Sequence, residues 1–481
     1  MMARLSALMR RDLAVDPEIT GVTADSRRVK PGYLFAALPG SKADGRRFVD
    51  AAIDAGAAAI IAGEDIPGLA APVVRAADPR RAYALAAAAL CGQQPEVVVA
   101  VTGTNGKTSV ASFCRQLFRA CGRASASMGT LGVTAGDDQL TPPGLTTPDA
   151  ADVAEMLAGL AERGVTHLAL EASSHGIDQR RLDGVELTAA GFLNLTQDHL
   201  DYHGDMDTYR AAKLRLFEAL LPRGRTAVLN ADSDAFPVFA GVVRKHGLSL
   251  LTVGSMGQGL TLLSRRPDTR GQRLRIKAWG REHEVILPLA GAFQASNALV
   301  AAGLCIAAGE RVESALTALE GVEGAPGRLQ RIGEGPRGGT AYVDYAHTPD
   351  GLRTVLTALR PHTSGRLIVV FGAGGDRDCG KRPQMGAAAA DMSDIAIVTD
   401  DNPRSEAPGA IRAEIMAGAN GLTEIADRGE AIAMAADLLR AGDILVIAGK
   451  GHEQGQDIGG VIHPFDDAAV TRMALGLGGR S

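Results

Sequence analysis

Short apolar runs that end in clusters of polar residues recur along the middle of this 481-residue chain. Three of them are residues 165–170 before Glu171, residues 189–195 before Asp198, and residues 226–229 before Asn230. Runs of this length, bounded by turn-forming residues, are typical of buried strands. Because ligands of parallel sheets bind beyond the carboxyl ends of the strands, the polar clusters lie where a binding site is expected. The pattern predicts an α/β fold.

The same pattern returns in the last third of the chain. Apolar residues 367–371, 395–399 and 444–448 end in clusters rich in Gly and Asp, which predicts a second parallel sheet with polar strand ends. The Gly-rich run after residue 371 lacks the G-x-G-x-x-G spacing of a dinucleotide site, and this disfavours a nicotinamide cofactor.

Three domains are predicted from the length and from two breaks in the pattern. A chain of 481 residues is too long for a single core. Residues 1–95 form a small N-terminal α/β domain in this prediction, residues 96–325 a central domain with a parallel sheet, and residues 326–481 a C-terminal, Rossmann-like domain. A Gly-rich linker at residues 321–327 marks the boundary with the third domain.

Residues 96–109 form the most informative motif, because an apolar run breaks into a Gly-rich turn that ends in Lys107 and Thr108. Backbone N–H groups of residues 103–106 can point at phosphate oxygens, the lysine can reach the terminal phosphates, and the threonine hydroxyl can bind Mg²⁺. The common P-loop pattern has glycine where this chain has Val101, so the motif is a tighter variant. An ordinary Gly-rich turn is the alternative.

Composition narrows the classes of function. The formal net charge is −5 and no basic stripe with interleaved aromatic residues is present, which argues against a nucleic-acid partner. The five cysteines include no C-x-x-C pair, which disfavours a disulfide framework and a zinc site and fits a reducing cytoplasm. We find no export signal and no uncharged stretch that could span a bilayer, so a cytoplasmic protein without membrane insertion is expected.

Lysine is rare in this chain, because only eight of the fifty basic residues are lysines. Four of the eight lie in Gly-rich or acid-rich motifs: Lys107, Lys213, Lys381 and Lys450. Where arginine is the usual cation, a lysine in such a motif indicates chemistry that a guanidinium does not perform.

Glu171 and Thr108 supply the hard oxygen ligands that Mg²⁺ prefers. A salt-bridged or solvated side chain is the alternative for Glu171. His199 is a candidate ligand of a second metal ion, with a structural role as the alternative. His199 and His203 have i, i+4 spacing, but the glutamate of H-E-x-x-H and a third ligand are missing, which disfavours zinc.

Lys213 falls on the apolar face of a predicted helix over residues 207–220, together with Tyr209 and Phe217. An inward ammonium would have its pKa lowered by desolvation, and the neutral amine could react with CO₂ to give a carbamate that binds Mg²⁺. The residues alone favour the other alternative, in which the lysine extends past the aromatic rings to water.

Together these motifs resemble one family, the Mur ligases, which are ATP-dependent amide-forming enzymes of peptidoglycan synthesis. The resemblance runs through all three predicted domains and is strongest to the members that add meso-2,6-diaminopimelate. It rests on residues 25–27, 44–46, 102–108, 146–149, 171–176, 198–203, 209–213, 291–297, 344–349, 401–404 and 449–453. One position departs from the family pattern, because Gln294 stands where asparagine is expected.

The resemblance implies a role for each matching residue. The contacts to ATP would come from Gly103, Thr104, Asn105, Gly106, Lys107, Thr108, Asn297, Arg331, Asp344 and His347. The Mg²⁺ ligands would be Thr108, Glu171, His199 and a carbamylated Lys213, and the catalytic residues Lys107, Glu171, His199 and Lys213. The UDP-sugar substrate would be held by Ala24, Ser26, Ser41, Lys42, Ala43, Thr146, Thr147, Ser173, Gln179 and Arg181. Diaminopimelate would be held by Arg377, Asp401, Asn402, Pro403, Arg404, Gly449 and Glu453.

The resemblance also implies an activity. The N-terminal domain would bind uridine, the central P-loop domain would bind ATP, and the C-terminal domain would bind the added amino acid. The expected reaction joins meso-2,6-diaminopimelate to the D-glutamate of UDP-N-acetylmuramoyl-L-alanyl-D-glutamate through an acyl phosphate, with ATP and Mg²⁺, in a monomeric enzyme.

Arg404 carries the expected choice of amino acid. In the family, the Asp-Asn-Pro-Arg segment marks the diaminopimelate-adding members. Diaminopimelate differs from lysine by a distal carboxylate, with which a planar guanidinium can form two hydrogen bonds. A loop arginine in water is the alternative for this residue.

Two other functions are compatible with the sequence. Another ligase of the superfamily would add lysine or a dipeptide, or would extend folate with glutamate. A P-loop kinase or a nucleotide-binding regulator would use the third domain as a binding module only.

Overall fold

The structure is a computed structural model that describes residues 2–40, 44–268 and 271–478 of the chain. It contains two compact units. One comprises Met1–Thr261 and Leu299–Ala315, and the other comprises Leu262–Ala298 and Leu316–Ser481. Of the helices within the described residues, none is long and apolar enough to cross a membrane.

Strands and helices alternate over much of the chain, as the apolar runs predict. The strands are β1 Ala3–Arg4, β2 Glu18–Ile19, β3 Gly21–Thr23, β4 Tyr33–Ala36, β5 Ala57–Ala62, β6 Val73–Arg75, β7 Val97–Thr102, β8 Ser125–Gly129, β9 Gly132–Ala135, β10 Asp138–Thr141, β11 His167–Glu171, β12 Ala189–Phe192, β13 Thr226–Asn230, β14 Ser249–Gly254, β15 Leu260–Asp268, β16 Gly271–Ala278, β17 Arg281–Leu287, β18 Gln330–Glu334, β19 Thr340–Asp344, β20 Leu367–Phe371, β21 Ile395–Val398, β22 Thr423–Glu424, β23 Ile444–Ala448, β24 Gly455–Ile458 and β25 Val461–Pro464. The helices are α1 Leu5–Met9, α2 Val49–Asp54, α3 Pro79–Cys91, α4 Lys107–Ala120, α5 Ala150–Glu162, α6 Ser174–Asp178, α7 Leu200–His203, α8 Met206–Arg215, α9 Phe236–Lys245, α10 Ala292–Ala307, α11 Val312–Ala318, α12 Pro349–Leu359, α13 Lys381–Met392, α14 Pro408–Met416, α15 Arg428–Leu438 and α16 Asp467–Ala474.

In the first unit, a small parallel sheet near the N-terminus has the strand order β3-β4-β5-β6. Helix α3 follows this sheet, and residues at its two ends determine where it begins and ends. The Asp78 side chain accepts a hydrogen bond from the backbone N–H of Arg81, and Pro79 occupies the first turn, where its missing N–H costs nothing. The helix ends at Gly92, whose φ of 72° favours glycine.

The larger sheet of the first unit runs in the order β10-β9-β8-β11-β7-β12-β13-β14. Strands β8 and β11 to β14, with β7, are parallel, whereas β9 and β10 are antiparallel. Glu171 pairs with Val101, and Phe192 pairs with Thr102. Because these strands are parallel and in this register, their carboxyl ends meet at one edge, as the apolar runs predict.

The core of this sheet is apolar and closely packed. All five residues of β11 are buried, and the Phe192 ring stacks on Phe239 with a centroid distance of 3.7 Å. Phe217 packs edge-on against the same ring. Since full burial of such a side chain stabilises by about 1.5–3 kcal/mol, the core fixes the strand ends firmly.

The second unit contains the antiparallel hairpin β16–β17 and a sheet in the order β18-β19-β23-β20-β21-β22. Strands β19 to β23 are parallel and β18 is antiparallel. Asp344 pairs with Ala448, and Phe371 pairs with Val398. The loops that follow β19, β20, β21 and β23 therefore leave the same edge, which confirms the second set of polar strand ends predicted from the sequence.

A buried ion pair connects two helices of the second unit to that edge. Arg428 begins α15 and Asp467 begins α16, and both side chains are fully buried. Nε and Nη2 of Arg428 each donate to one carboxylate oxygen at 2.7 Å. Nη2 also donates to the carbonyl of Ala448, and Nη1 to that of Asp400. The pair thus holds both helix N-termini against the ends of the strands.

Arg428→Ala is expected to destabilise the second unit by about 3–5 kcal/mol, because Asp467 stays buried without its charge partner. Urea unfolding measures this as a lower midpoint. Arg275→Ala is the matched control in the same unit, since it removes an exposed ion pair with Glu282. Equal midpoints for the two variants would contradict a stabilising role of the buried pair.

Candidate active site

The loop between β7 and α4 has the geometry of a phosphate-binding loop. Gly106 has a φ of 91° and directly precedes α4, which begins at Lys107. A Cβ atom at Gly103 would approach the Leu193 side chain to 2.8 Å, so the loop lies tightly on its neighbour. Lys107 Nζ donates to the carbonyls of Gly103 and Thr104, both at 2.9 Å. The positive end of the α4 dipole and a folded-back lysine together favour an anion.

Two residues that the sequence did not single out hold this loop in place. Asn194 Oδ1 accepts from the backbone N–H of Asn105 at 2.9 Å, and Asn194 Nδ2 donates to the Asn105 carbonyl at 3.1 Å. The Thr104 hydroxyl donates to the Thr196 carbonyl and accepts from the Thr196 N–H. The available signal was the polar asparagine inside the apolar run 189–195, next to a strand end.

The Glu171 carboxylate is buried and hydrogen-bonded by neutral donors. Oε1 accepts from the Thr130 N–H at 2.8 Å, and Oε2 accepts from the Thr108 hydroxyl at 3.0 Å. Gly129 is required beside it, because a Cβ atom there would overlap the carboxylate. The alternative of a solvated Glu171 is therefore wrong.

A chain of hydroxyl groups links Glu171 to the residues predicted to hold the second substrate. The Thr130 and Thr146 hydroxyls are 2.9 Å apart, and the Thr147 hydroxyl donates to the Glu171 carbonyl at 3.0 Å. The Ser173 hydroxyl donates to Thr147 Oγ1 at 2.9 Å and caps α6. The predicted nucleotide and substrate residues thus meet at Glu171, some at its carboxylate and some at its backbone carbonyl.

Arg181 and Gln179 extend this network. Arg181 Nη1 donates to the Thr147 carbonyl at 2.5 Å, and Nη2 donates to Gln179 Oε1 at 2.7 Å. Gln179 Nε2 donates to the Tyr202 hydroxyl at 3.0 Å. Burial lowers the pKa of Arg181. A partly buried cation at this place suits an anionic ligand.

The other predicted UDP-sugar residues lie at the small sheet. Ala24 and Ser26 follow β3, and both are half-buried. Asp25 caps the short turn Ser26–Arg28 by accepting from the backbone N–H of Arg27. Ser41, Lys42 and Ala43 lie outside the described residues.

Lys213 is buried and points at the phosphate-binding loop. Its side chain is only 1% exposed, and Nζ donates to the Gly103 carbonyl at 2.9 Å. Nζ also lies 4.4 Å from the centre of the Tyr209 ring, whose hydroxyl is 3.2 Å from Thr104 Oγ1. Burial lowers the pKa of Lys213 well below its ordinary value, and Lys107 lowers it further. The alternative in which Lys213 reaches water is therefore wrong.

His199 lies near this group on the exposed side. It has a φ of 52° directly before α7, and its ring centre is 4.9 Å from that of His175 and 6.2 Å from that of Tyr209. His203 is buried instead, and its Nε2 is 3.0 Å from the Ser174 hydroxyl. Within the part of the chain that the structure describes, no three His, Cys, Asp or Glu side chains are grouped to hold a metal ion.

In the second unit, Asp344 anchors the loop after β19. Its two oxygens accept from the backbone N–H groups of Leu329 at 2.6 Å and Ala346 at 2.8 Å. Burial raises the pKa of Asp344 to about 6, and the nearby Arg328 opposes this rise. His347 lies in the same loop, with Nδ1 2.8 Å from the Tyr345 carbonyl.

Gln294, which stands where asparagine is expected, is hydrogen-bonded at both ends of its amide. It is fully buried, accepts from Asn297 Nδ2 at 3.1 Å and donates to the Arg328 carbonyl at 3.3 Å. Asn297 is thereby fixed in orientation. Arg331 lies on β18 with an exposed side chain and pairs with Glu334 at 2.6 Å.

The loops after β20 and β21 interlock around Arg404. Arg404 has a φ of 52°, and its Nη1 donates to the Gly375 carbonyl at 2.5 Å. The N–H of Gly375 donates to the Asn402 carbonyl at 2.9 Å, and a Cβ atom at Gly375 would overlap the Pro403 carbonyl. Arg377 lies in the first of these loops with an exposed side chain.

The loop after β23 adds an acidic side chain, Glu453, next to these two loops. Asn402 Nδ2 donates to Glu453 Oε2 at 2.8 Å. Gly449 has a φ of 122°, and a Cβ atom there would overlap the buried Asp401 carboxylate. The loops at this edge of the sheet therefore carry both cationic and anionic side chains, which suits a ligand that carries both charges.

Three family models match the chain in succession. They are "Mur ligase family, catalytic domain" over residues 18–99, "Mur ligase middle domain" over residues 101–305, and "Mur ligase, glutamate ligase domain" over residues 327–451. Together they cover most of the sequence.

Relatives of nearly full length have the same printed name, UDP-N-acetylmuramoyl-L-alanyl-D-glutamate--2,6-diaminopimelate ligase. The protein of Caulobacter vibrioides is 66% identical over 481 residues, which is 99% of each chain. That of Rhizobium meliloti is 52% identical over 473 residues, 98% of this chain and 97% of the relative.

Solved structures give the same picture of the fold. A structure of a UDP-N-acetylmuramoyl-L-alanyl-D-glutamate--2,6-diaminopimelate ligase is 34% identical, covers 99% of each chain and superposes with a TM-score of 0.77. MurF from Acinetobacter baumannii is 20% identical over 92% of this chain and 94% of its own, with a TM-score of 0.62, and shares the fold. The predicted three-domain α/β fold is confirmed. The chain belongs to the Mur ligase family.

Proposed function

We propose that the chain joins meso-2,6-diaminopimelate to the D-glutamate of UDP-N-acetylmuramoyl-L-alanyl-D-glutamate in peptidoglycan precursor synthesis. It is an ATP-dependent, ADP-forming ligase. One observation supports the chemistry most directly. The carboxylate of Glu171 touches the phosphate-loop residue Thr108 on one side and joins the hydroxyl chain to Thr146 on the other. A ligase that phosphorylates a substrate carboxylate needs its nucleotide and its acceptor side by side in this way.

The reaction overcomes the low reactivity of a carboxylate. An oxygen of the D-glutamate γ-carboxylate attacks the γ-phosphorus of ATP, the bond to ADP breaks, and an acyl phosphate results. The amine of diaminopimelate then attacks the acyl carbon, loses a proton and expels phosphate. The ammonium of Lys107 reduces the repulsion between the anionic reactants, and the positive dipole end of α4 orients the phosphates.

The residues around Lys107 also fit Mg²⁺. When bound, Mg²⁺ neutralises charge on the phosphates of ATP. Thr108 and Glu171 offer hard oxygen atoms, and we propose that His199 and a carbamylated Lys213 complete the set. Lys213 fits carbamylation because it is buried and its pKa is lowered, so that the neutral amine which reacts with CO₂ is accessible.

We assign the remaining predicted residues by unit. Ala24, Ser26, Thr146, Thr147, Ser173, Gln179 and Arg181 would hold the UDP-linked substrate, and Asn297, Arg331, Asp344 and His347 would contact ATP. Arg377, Asp401, Asn402, Pro403, Arg404, Gly449 and Glu453 would hold diaminopimelate. We keep the domain division 1–95, 96–325 and 326–481 as part of this proposal. A reaction that consumes ATP and a UDP-linked substrate belongs in the cytoplasm, and we place the enzyme there, as a monomer.

Phosphate release tests the proposal. The purified chain is incubated with ATP, Mg²⁺ and UDP-N-acetylmuramoyl-L-alanyl-D-glutamate, and meso-2,6-diaminopimelate, L-lysine and D-alanyl-D-alanine are compared as the added amine. Release is expected with diaminopimelate and only when both substrates are present. Release with L-lysine but not with diaminopimelate would contradict the assigned amino acid. Release that needs no added amine would contradict the ligase reaction itself.

Arg404→Ala is expected to lower kcat/KM for diaminopimelate on the order of a hundredfold, because loss of one partner of a charged pair costs about 2–5 kcal/mol. Arg404→Lys is the matched variant, since it keeps the charge but loses the two-pronged geometry, and an intermediate loss is expected. The KM for ATP is measured in parallel. Unchanged kinetics in the alanine variant would rule out this role.

Carbamylation of Lys213 is tested without an activity assay. After incubation with ¹³C-bicarbonate, the wild-type chain is expected to show a carbamate carbon in its ¹³C NMR spectrum that Lys213→Arg lacks, because a guanidinium is never deprotonated in proteins. Lys245→Arg is the control, since it makes the same change at an exposed residue of the same unit. A signal that persists in Lys213→Arg would contradict the assignment.

A further inference from the structure

Lys450 is a buried cation to which neither the family resemblance nor the proposed mechanism gives a role. Its side chain is fully buried two residues after the end of β23, and it is one of the eight lysines of a chain that otherwise uses arginine. Nζ donates to Asn402 Oδ1 at 2.8 Å and lies 3.6 Å from Glu453 Oε2. An ammonium is rarely buried in this way unless it is paired, because desolvation of a charge is costly, and here the partners are Asn402 and Glu453.

The neighbours of Asn402 determine which end of its amide is oxygen. The Lys450 ammonium and the backbone N–H of Asp457 can only donate, and both point at the same end, at 2.8 Å and 3.0 Å. The Glu453 carboxylate can only accept, and it faces the other end at 2.8 Å. A flipped amide would set two donors against an NH₂ group and a carboxylate against an oxygen. The orientation therefore follows from chemistry alone.

This orientation decides what the pocket offers to a ligand. Both lone pairs of Asn402 Oδ1 are used by Lys450 and Asp457, so the remaining capacity of the amide is one N–H donor. Glu453 keeps its Oε1 as an acceptor for a further donor. Asn402 is thus prepared for a carboxylate and Glu453 for an ammonium group, which are the two groups of an amino acid.

We infer that Lys450 is a positioning residue of the amino-acid pocket, the group of residues proposed above to hold diaminopimelate. Through Asn402 and Glu453 it fixes which side chains there donate hydrogen bonds to the ligand and which accept them. This inference rests on the proposed function of the same pocket. Lys450 does not contact the ligand itself. It keeps Asn402 as a donor and holds the Glu453 carboxylate in place by its charge. A compact ammonium points at both groups from a fully buried position, whereas a guanidinium is larger and planar, which favours lysine here.

The main test is a double-mutant cycle on the KM for diaminopimelate. Lys450→Met keeps most of the volume and removes the ammonium, and it is expected to raise this KM about tenfold while the KM for ATP changes less than about twofold, because one charged hydrogen bond is lost. Asn402→Ala removes the group through which Lys450 acts. In the Asn402→Ala background, Lys450→Met is then expected to add little. Fully additive effects would overturn the inference.

Asn402→Asp provides a second measurement in case Lys450→Met does not fold. It keeps both acceptors for Lys450 and Asp457 but turns a carboxylate toward Glu453, so the donor for the ligand is lost. A KM for diaminopimelate at least as high as that of Asn402→Ala is expected, and a wild-type KM would overturn the inference.

Controls separate this inference from the proposed function. Lys277→Met makes the same substitution at an exposed position of the same unit, and it should leave the KM values unchanged. If the wild-type chain releases no phosphate in the presence of diaminopimelate, the proposed function fails. If the wild type is active and Lys450→Met has the same KM values as the wild type, only the role of Lys450 fails.

Discussion

A buried carboxylate must be surrounded by donors, and Glu171 imposes this requirement on the first unit. The Thr130 N–H and the Thr108 hydroxyl satisfy it, and Gly129 leaves the room. An unsatisfied carboxylate in this place would cost several kcal/mol, so the strand ends and the phosphate-binding loop are fixed together. The parallel register makes this possible, since Glu171 pairs with Val101, one residue before the end of β7. The position of the loop thus follows from the hydrogen bonds of a side chain on the neighbouring strand.

The second unit satisfies a similar requirement with charged donors. Arg428 and Asp467 are both fully buried, and Lys450 is buried beside Asn402. Each cation donates to a group at the carboxyl end of the sheet, so the charges stabilise loops and not the centre of the core. Such buried charges are weak contributors to stability when compared with apolar residues of the same size. Their value here lies in geometry, because Arg428 holds two helix N-termini at the strand ends and Lys450 leaves the Asn402 amide with one donor role.

The sequence predicted the strand ends well and the tertiary contacts poorly. Glu171, Asp344 and the loop after β20 lie where the apolar runs end, because alternation of buried runs and polar clusters is a local property. Burial of Lys213 was not predicted from the residues, which favoured a lysine that reaches water, because helical spacing shows which face is apolar but not whether water reaches the end of a side chain. The contact of its amine with Gly103 joins residues 110 positions apart, and no local pattern reports it. Asn194 was missed for the same reason, as its partner Asn105 lies on another strand end.

Backbone strain at Arg404 shows how such non-local contacts act together. A φ of 52° is unfavourable for a residue with a Cβ atom, and it persists only where the surroundings determine it. Here the Arg404 N–H donates to the Asp457 carbonyl at 2.9 Å, and the Gly459 N–H donates to the Arg404 carbonyl at 2.7 Å. Both partners belong to the hairpin of β24 and β25, whose Asp457 N–H also holds Asn402. One hairpin therefore sets the direction of the Arg404 side chain and the orientation of the Asn402 amide, so a change in its register would alter both sides of the amino-acid pocket at once.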